Sequence, residues 1–293
     1  MTVKTDILQR RKENKWRLVE VKSTADLKNQ HLDDMGIVNV TPDSFSDGGR
    51  FIELPAALEH ARRLIDEGAD IIDIGGESTR PGSAAIPESE EIARVVPVLE
   101  ALRKSGVVLS VDTSKPGVMR AALDAGAAIV NDVCALQAPG ALDAVAASDC
   151  GVVLMHMQGS PRTMQLNPHY TDVVGEVRDF LRERIAAATA RGVAAVRIVV
   201  DPGFGFGKTV EHNFELLGQL AALTKLGVPV LAGVSRKGML GAVTGRAVGD
   251  RIAASVAAVV IAVERGARIV RAHDVAATRD ALRVWAAIRK EES

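Results

Sequence analysis

From Met35 onward, short β-branched apolar runs alternate with Ala- and Leu-rich helical stretches, eight of each. No other feature of the chain limits its possible folds so strongly. The runs are Met35–Val40, Asp70–Ile74, Val107–Val111, Ala128–Asn131, Val152–Met155, Arg197–Val200, Val228–Ala232 and Arg268–Val270. They are continuously apolar instead of alternating, the pattern of parallel strands covered on both faces. Helical periodicity predicts helices near 55–67, 89–104, 116–125, 140–148, 172–191, 211–226, 249–265 and 275–289. Strand and helix in strict alternation call for a parallel sheet, and eight units fit a single closed (β/α)8, TIM-type barrel. A doubly wound open sheet is the competing arrangement. Gly68, Gly106, Gly126, Gly151, Gly192, Gly227 and Gly266 fall at or just past predicted helix ends, where a left-handed cap favours glycine.

Composition sharpens this reading. Hydrophobic residues make up 47% and aromatics only 3%, so the core must be aliphatic. With 36 basic and 37 acidic residues, no global field attracts nucleic acid or a membrane surface. Cys134 and Cys150 cannot form a disulfide framework and read as small buried hydrophobes in a reducing compartment. No apolar run reaches the roughly 18 residues of a membrane span, and the first residues lack a signal-peptide core. The expectation is a soluble, cytoplasmic protein. Residues 1–34 read as a polar N-terminal extension, with alternation only at Trp16–Val21, and 35–293 as the barrel.

In such a barrel the C-terminal strand ends converge on one mouth. The first run stops at Pro42, and Asn39–Gly49 is rich in turn formers, predicting a long, mobile loop. The remaining strand ends are Glu77–Gly82, Asp112, Asn131-Asp132, His156, Asp201, Ser235-Arg236-Lys237 and Arg271 with His273. Asp112-Thr113-Ser114-Lys115-Pro116 alone would pass for a helix cap, but a cap does not call for Lys, Arg, His or a buried Asp at strand after strand. Asp112, Asn131 and Asp201 are carboxylates and an amide, suited to a ring edge with several N–H groups such as a 2-amino-4-oxo pyrimidine. Asn39, Lys237, Arg271 and His273 are donors suited to an anion such as phosphate. Asn39 can also offer its amide oxygen to Mg²⁺, which keeps waters and phosphate oxygens as its other ligands. The run Asp201–Thr209 ends in Gly-Lys-Thr but has the wrong spacing for a phosphate-binding P-loop, with Pro202 where the first glycine belongs. It predicts instead a backbone floor with Phe206 beneath a flat ligand.

Taken together, Asn39–Gly49, Glu77–Gly82, Val111–Pro116, Asn131–Val133, Met155–Met157, Asp201–Lys208, Ser235–Lys237 and Arg271–Asp274 resemble the dihydropteroate synthase family in order and spacing over about 35–289. The resemblance implies a (β/α)8 barrel joining 6-hydroxymethyl-7,8-dihydropterin pyrophosphate to p-aminobenzoate, with Mg²⁺, by a loose, cation-like substitution at the exocyclic CH₂. It implies a pterin set of Asp112, Asn131, Met155, Asp201, Phe206, Lys237 and Arg271. The pyrophosphate set would be Asn39, Arg80, Arg271 and His273, with Asn39 also at the metal. Phe45, Thr79, Pro81, Phe206, Ser235 and Lys237 would meet p-aminobenzoate. The reacting centre would be served by Asn39, Asp47, Thr79, Arg80, Lys237, Arg271 and His273. It further implies a homodimer, inhibition by sulfonamides, and a short hairpin at the barrel bottom, where Asp33-Asp34 depart from the usual apolar strand. A pterin-binding paralogue without synthase activity, a pterin methyltransferase-type barrel and a non-catalytic scaffold are the alternatives.

Overall fold

The computed structural model describes residues 32–41, 50–79 and 82–291. Eight strands pair in sequence order and close into a barrel, β1 meeting β8, all parallel. They are β1 (Asp33–Asn39), β2 (Ile71–Gly75), β3 (Val108–Asp112), β4 (Ile129–Asp132), β5 (Gly151–Met155), β6 (Ile198–Asp201), β7 (Val230–Ala232) and β8 (Ala267–Ala272). Outside them run α1 (Arg50–Asp66), α2 (Glu88–Leu102), α3 (Pro116–Ala125), α4 (Ala141–Ala146), α5 (Val173–Ala190), α6 (Val210–Gly218), α7 (Ala221–Thr224), α8 (Gly238–Thr244), α9 (Ile252–Glu264) and α10 (Val275–Glu291).

Period-two geometry turns this closed sheet into layers. Met35, Ile71, Ile129, Val153, Val199, Leu231 and Ile269 form an apolar plug inside the barrel, with Val108 against it. Two positions further along each strand, the same inward face carries Ile37, Asp73, Ser110, Asn131, Met155, Asp201, Gly233 and Arg271. The plug seals the bottom, and the mouth begins one layer above it. The outward faces pack on the helices as a second, larger aliphatic core.

Several details depart from expectation. β1 begins two residues early because Asp33 and Asp34 are needed as ladder partners of Ile269 and Val270. Asp34 is wholly buried, and neither carboxylate oxygen has a hydrogen-bond partner. Gly151 is the first residue of β5, without positive φ; the other six cap glycines do have it. The stretch expected as one helix over 211–226 is broken into α6 and α7, and α8 was not expected at all. Residues 1–31, and with them Trp16–Val21 and the hairpin expected there, lie outside the described residues.

Candidate active site

The polar layer above the plug is knit by Asp73, a fully buried carboxylate that lies within an apolar run and not at its end. It accepts from Ser110 Oγ at 2.6 Å, Asn131 Nδ2 at 2.9 Å and Arg271 Nε at 2.7 Å. Arg271 also donates through Nη2 to Asp112 Oδ2 at 2.8 Å. Thus Arg271, expected among the anion donors, is first of all a bridge between β2 and β3. Its guanidinium still has N–H groups left for a ligand after these two bonds. The pairing with Asp73 and Asp112 keeps Arg271 firmly charged despite burial. Asp112 is pushed up to about 7, chiefly by burial, with Arg271 pulling the other way. With Nδ2 of Asn131 bound to Asp73, its Oδ1 is available as an acceptor.

Across the mouth, Asp201 Oδ1 takes the backbone N–H of Gly203 at 2.7 Å. Its other oxygen lies 3.8 Å from where a side chain on Gly233 would begin, so the bare strand end of β7 keeps the space beside that carboxylate open. Burial raises Asp201 above the ordinary carboxylate range. Burial lowers Lys237 to about 8, while Asp201 opposes the change. The Lys237 ammonium stands 4.3 Å from the centroid of the Phe206 ring, a cation–π contact. One cavity is lined by Thr79, Asp112, Asn131, Val133, Met155, Asp201, Gly203, Phe204, Phe206, Gly233, Lys237 and Arg271. It therefore gathers the acidic camp, Lys237 and Arg271 around one space, walled by Met155 and Phe206.

The anion camp sits at its edge. His273 Nδ1 lies 3.1 Å from Ser235 Oγ, which also accepts the His273 backbone N–H at 3.2 Å. In the tautomer where the Ser235 hydroxyl donates to Nδ1, Nε2 carries the hydrogen and faces a ligand as a donor. Burial, with Arg271 and Arg236 adding to it, lowers His273 to about 4, so it is a neutral donor near pH 7. Ser235, expected against p-aminobenzoate, is buried and hydrogen-bonded to His273. Arg236, held in left-handed backbone (φ 57°), forms a two-pronged pair with Asp274. Asn39 ends β1 half-buried, its Oδ1 near the space left open by Gly75. Phe45, Asp47, Arg80 and Pro81 lie outside the described residues.

Other strand-end residues are structural. Glu77 Oε1 accepts from Ile86 N at 2.8 Å and Lys115 Nζ at 3.0 Å, and Lys115 also reaches Glu91 at 2.6 Å, anchoring the segment after β2. Thr113 Oγ1 accepts from Lys115 N, a turn bond before α3. His156 turns away from the mouth towards Lys208. Thr209 and His212 make a capping box at the start of α6, so the Gly-Lys-Thr ending builds a helix start and no phosphate cradle. Asp73 and Gly233 were legible only through the inward period of two, which marks the position two after Ile71 and Leu231. Among the described residues no three His, Cys, Asp or Glu side chains are grouped to hold a metal ion. A Mg²⁺ bound mostly by its own waters and a ligand's oxygens needs no such group, and Asn39 fits that role.

Residues 35–273 match the family of pterin binding enzymes, and the molecule described above is a barrel of that class. Among curated proteins, the Haemophilus influenzae dihydropteroate synthase is 51% identical, the match covering 86% of this chain and 92% of that one. The Escherichia coli K12 dihydropteroate synthase is 48% identical over 89% and 93%. Among solved structures, Xanthomonas albilineans dihydropteroate synthase with 4-aminobenzoic acid is 56% identical, with a TM-score of 0.85 over 89% of this chain and 94% of that one. The Yersinia pestis enzyme with a sulfonamide drug is 47% identical, with a TM-score of 0.86 over 94% and 99%. The chain belongs to the dihydropteroate synthase family.

Proposed function

We propose that this protein joins 6-hydroxymethyl-7,8-dihydropterin pyrophosphate to p-aminobenzoate, giving 7,8-dihydropteroate and pyrophosphate in folate biosynthesis. The observation that carries the reading is the cavity in which Asp112, Asn131 and Asp201 face inward beside Lys237 and Arg271. Acceptors on β3, β4 and β6 suit the N–H-rich edge of a pterin. Relatives support the same chemistry: the X. albilineans enzyme was solved with 7,8-dihydropteroate, and the Y. pestis enzyme with a sulfonamide.

In this reading Asp201 and Asn131 hold the pterin edge, and Met155 and Phe206 flank its faces. Charge grows on the departing pyrophosphate as the CH₂–O bond lengthens. Arg271, through its remaining N–H groups, and the Nε2–H of neutral His273 stabilise it where it develops. The amine nitrogen of p-aminobenzoate then bonds to the CH₂ and loses a proton. The pterin ring spreads the positive charge left on the carbon, so no protein nucleophile is required. Asn39 would hold Mg²⁺, which when bound supplies further charge neutralisation to the phosphates. Thr79, with Phe45, Asp47, Arg80 and Pro81 from the first two loops, would complete the p-aminobenzoate site next to Lys237, and sulfonamides would compete there. Exposed Val248, Ile252 and Ile261 on and before α9, with Val284 and Ile288 on α10, support a helix-mediated homodimer. No described helix is long and apolar enough to cross a membrane.

Purified protein given both substrates and Mg²⁺ should form dihydropteroate and release one pyrophosphate per turnover. Binding of the pterin pyrophosphate without turnover would favour the inactive paralogue. If, in this reading, the first two loops complete the second site only once the first is filled, a sulfonamide should bind at least tenfold tighter when Mg²⁺, pyrophosphate and a pterin are present. Equal affinity in the two titrations would mean a preformed pocket.

A further inference from the structure

Beneath the cavity floor lies a lysine that the reaction above does not use. Lys208 is 3% exposed. Its ammonium makes three contacts of 3.0 Å: to the carbonyls of Gly203 and Phe206 and to His156 Nδ1. No carboxylate of the described residues lies within ion-pair distance of it. A buried charge is costly unless hydrogen bonds replace its water; all three N–H groups of the charged form are used that way, yet burial still lowers Lys208 to about 7, with Asp201 opposing the change. His156 is held neutral by burial and by Lys208 itself, which leaves Nδ1 free to accept.

What Lys208 holds is the turn after β6. Gly203, Gly205 and Gly207 all have positive φ, and a side chain at Gly203 would start 1.9 Å from the His156 carbonyl oxygen. The remaining turn groups are taken as well. Gly205 N–H goes to Asn213, Phe206 N–H to Gly203 O, and Gly205 O accepts from Gln165. Tyr170 Oη binds Gly207 O at 2.7 Å. Among these ties, only Lys208 fixes both the start of the turn and the carbonyl of Phe206.

We infer that Lys208 is a positioning residue for the aromatic amine: by gathering the Gly203 and Phe206 carbonyls around its ammonium, it sets the Phe206 wall against which that substrate lies. The inference rests on the dihydropteroate synthase reading. Asp112 and Asn131 hold the pterin edge from β3 and β4, and only Asp201, through Gly203 N–H, and the face contact at Phe206 share the turn, so loss of Lys208 acts more strongly on the second substrate than on the pterin.

The test is Lys208→Met, which keeps the chain length and removes the three donors. The KM for p-aminobenzoate should rise at least tenfold, with kcat and the Kd for 6-hydroxymethylpterin each within about threefold of wild type. Lys208→Gln, which restores two N–H donors without the charge, should recover part of the loss. An unchanged KM in the folded Met variant overturns the inference. So does a parallel loss of pterin and p-aminobenzoate binding, the mark of a merely structural role. If the Met variant does not fold, ¹⁵N-lysine labelling of the wild type decides. The buried ammonium should give a protected ¹H–¹⁵N signal that shifts when p-aminobenzoate joins the pterin–pyrophosphate–Mg²⁺ complex; no protected signal, or one that p-aminobenzoate leaves unmoved, overturns it. Wild-type protein without turnover sinks the functional reading and this inference with it, whereas active wild type with an unaffected Met variant sinks the inference alone.

Discussion

Asp201 shows how much one side chain decides. One carboxylate oxygen is tied to Gly203 N–H, so the other is fixed toward the cavity as an acceptor. Asp201→Asn keeps an oxygen for Gly203 and turns an amide N–H₂ toward the mouth. A donor then meets the donors of the pterin edge, and the lost hydrogen bond costs about 1–3 kcal/mol, roughly five- to 150-fold in Kd. Pterin titration by calorimetry, beside an unchanged melting temperature, is the check, and equal affinity would remove Asp201 from the site. Asp112, Asn131 and Asp201 were legible in the sequence because each closes an apolar run. Asp73 was not, because it sits within one and its meaning comes from partners 37, 58 and 198 positions away. Ser235 was legible as a mouth residue but not as the partner of His273, since that contact exists only once β7 and β8 lie side by side.

At the scale of elements, the strands were readable because a parallel strand buried on both faces has to be a continuous apolar run. α8 was not, because seven residues ending at Gly245 give too little periodicity to separate helix from loop. The start of β1 was misjudged for a related reason: pairing with β8 overrides the polarity of Asp33-Asp34. That start has a measurable consequence. Burial raises Asp34 to about 8, with Asp70 and Glu67 adding to the effect and Arg279 opposing it, against 3.8 for the free side chain. The folded chain thus holds a proton that the unfolded chain has released. Stability contributed by this group is complete below about pH 4 and is lost as pH rises toward 8. Asp34→Asn should remove this slope, gaining up to a few kcal/mol over wild type above pH 8 and little at pH 4. Melting curves of both proteins at the two pH values test it. Parallel behaviour would mean that Asp34 finds a partner or water in solution.

For the whole molecule, the order of layers explains why a fold so regular carries a site so specific. The plug closes the barrel without any polar group, leaving the layer above free to be filled by charges that pair with one another. All described mouth residues come from Ile37 onward, so deletion of residues 1–30 should leave kcat and both substrate affinities within about twofold of the full chain. Steady-state kinetics of the shortened protein check this. A folded, shortened protein without turnover would show that the N-terminal residues reach the mouth.

The barrel is not equally sewn all round. β1 and β2 share five register pairs, whereas β6 and β7 share only Val200 with Val230, and β7 has three residues. If a cask leaks at its thinnest stave, this one opens along that joint, and amide hydrogens there should exchange first. Asp201 stands on one side of the joint and Lys237 just beyond the other. A pterin held by both would act as a rivet across the gap, so the substrate itself would supply closure that the backbone leaves thin.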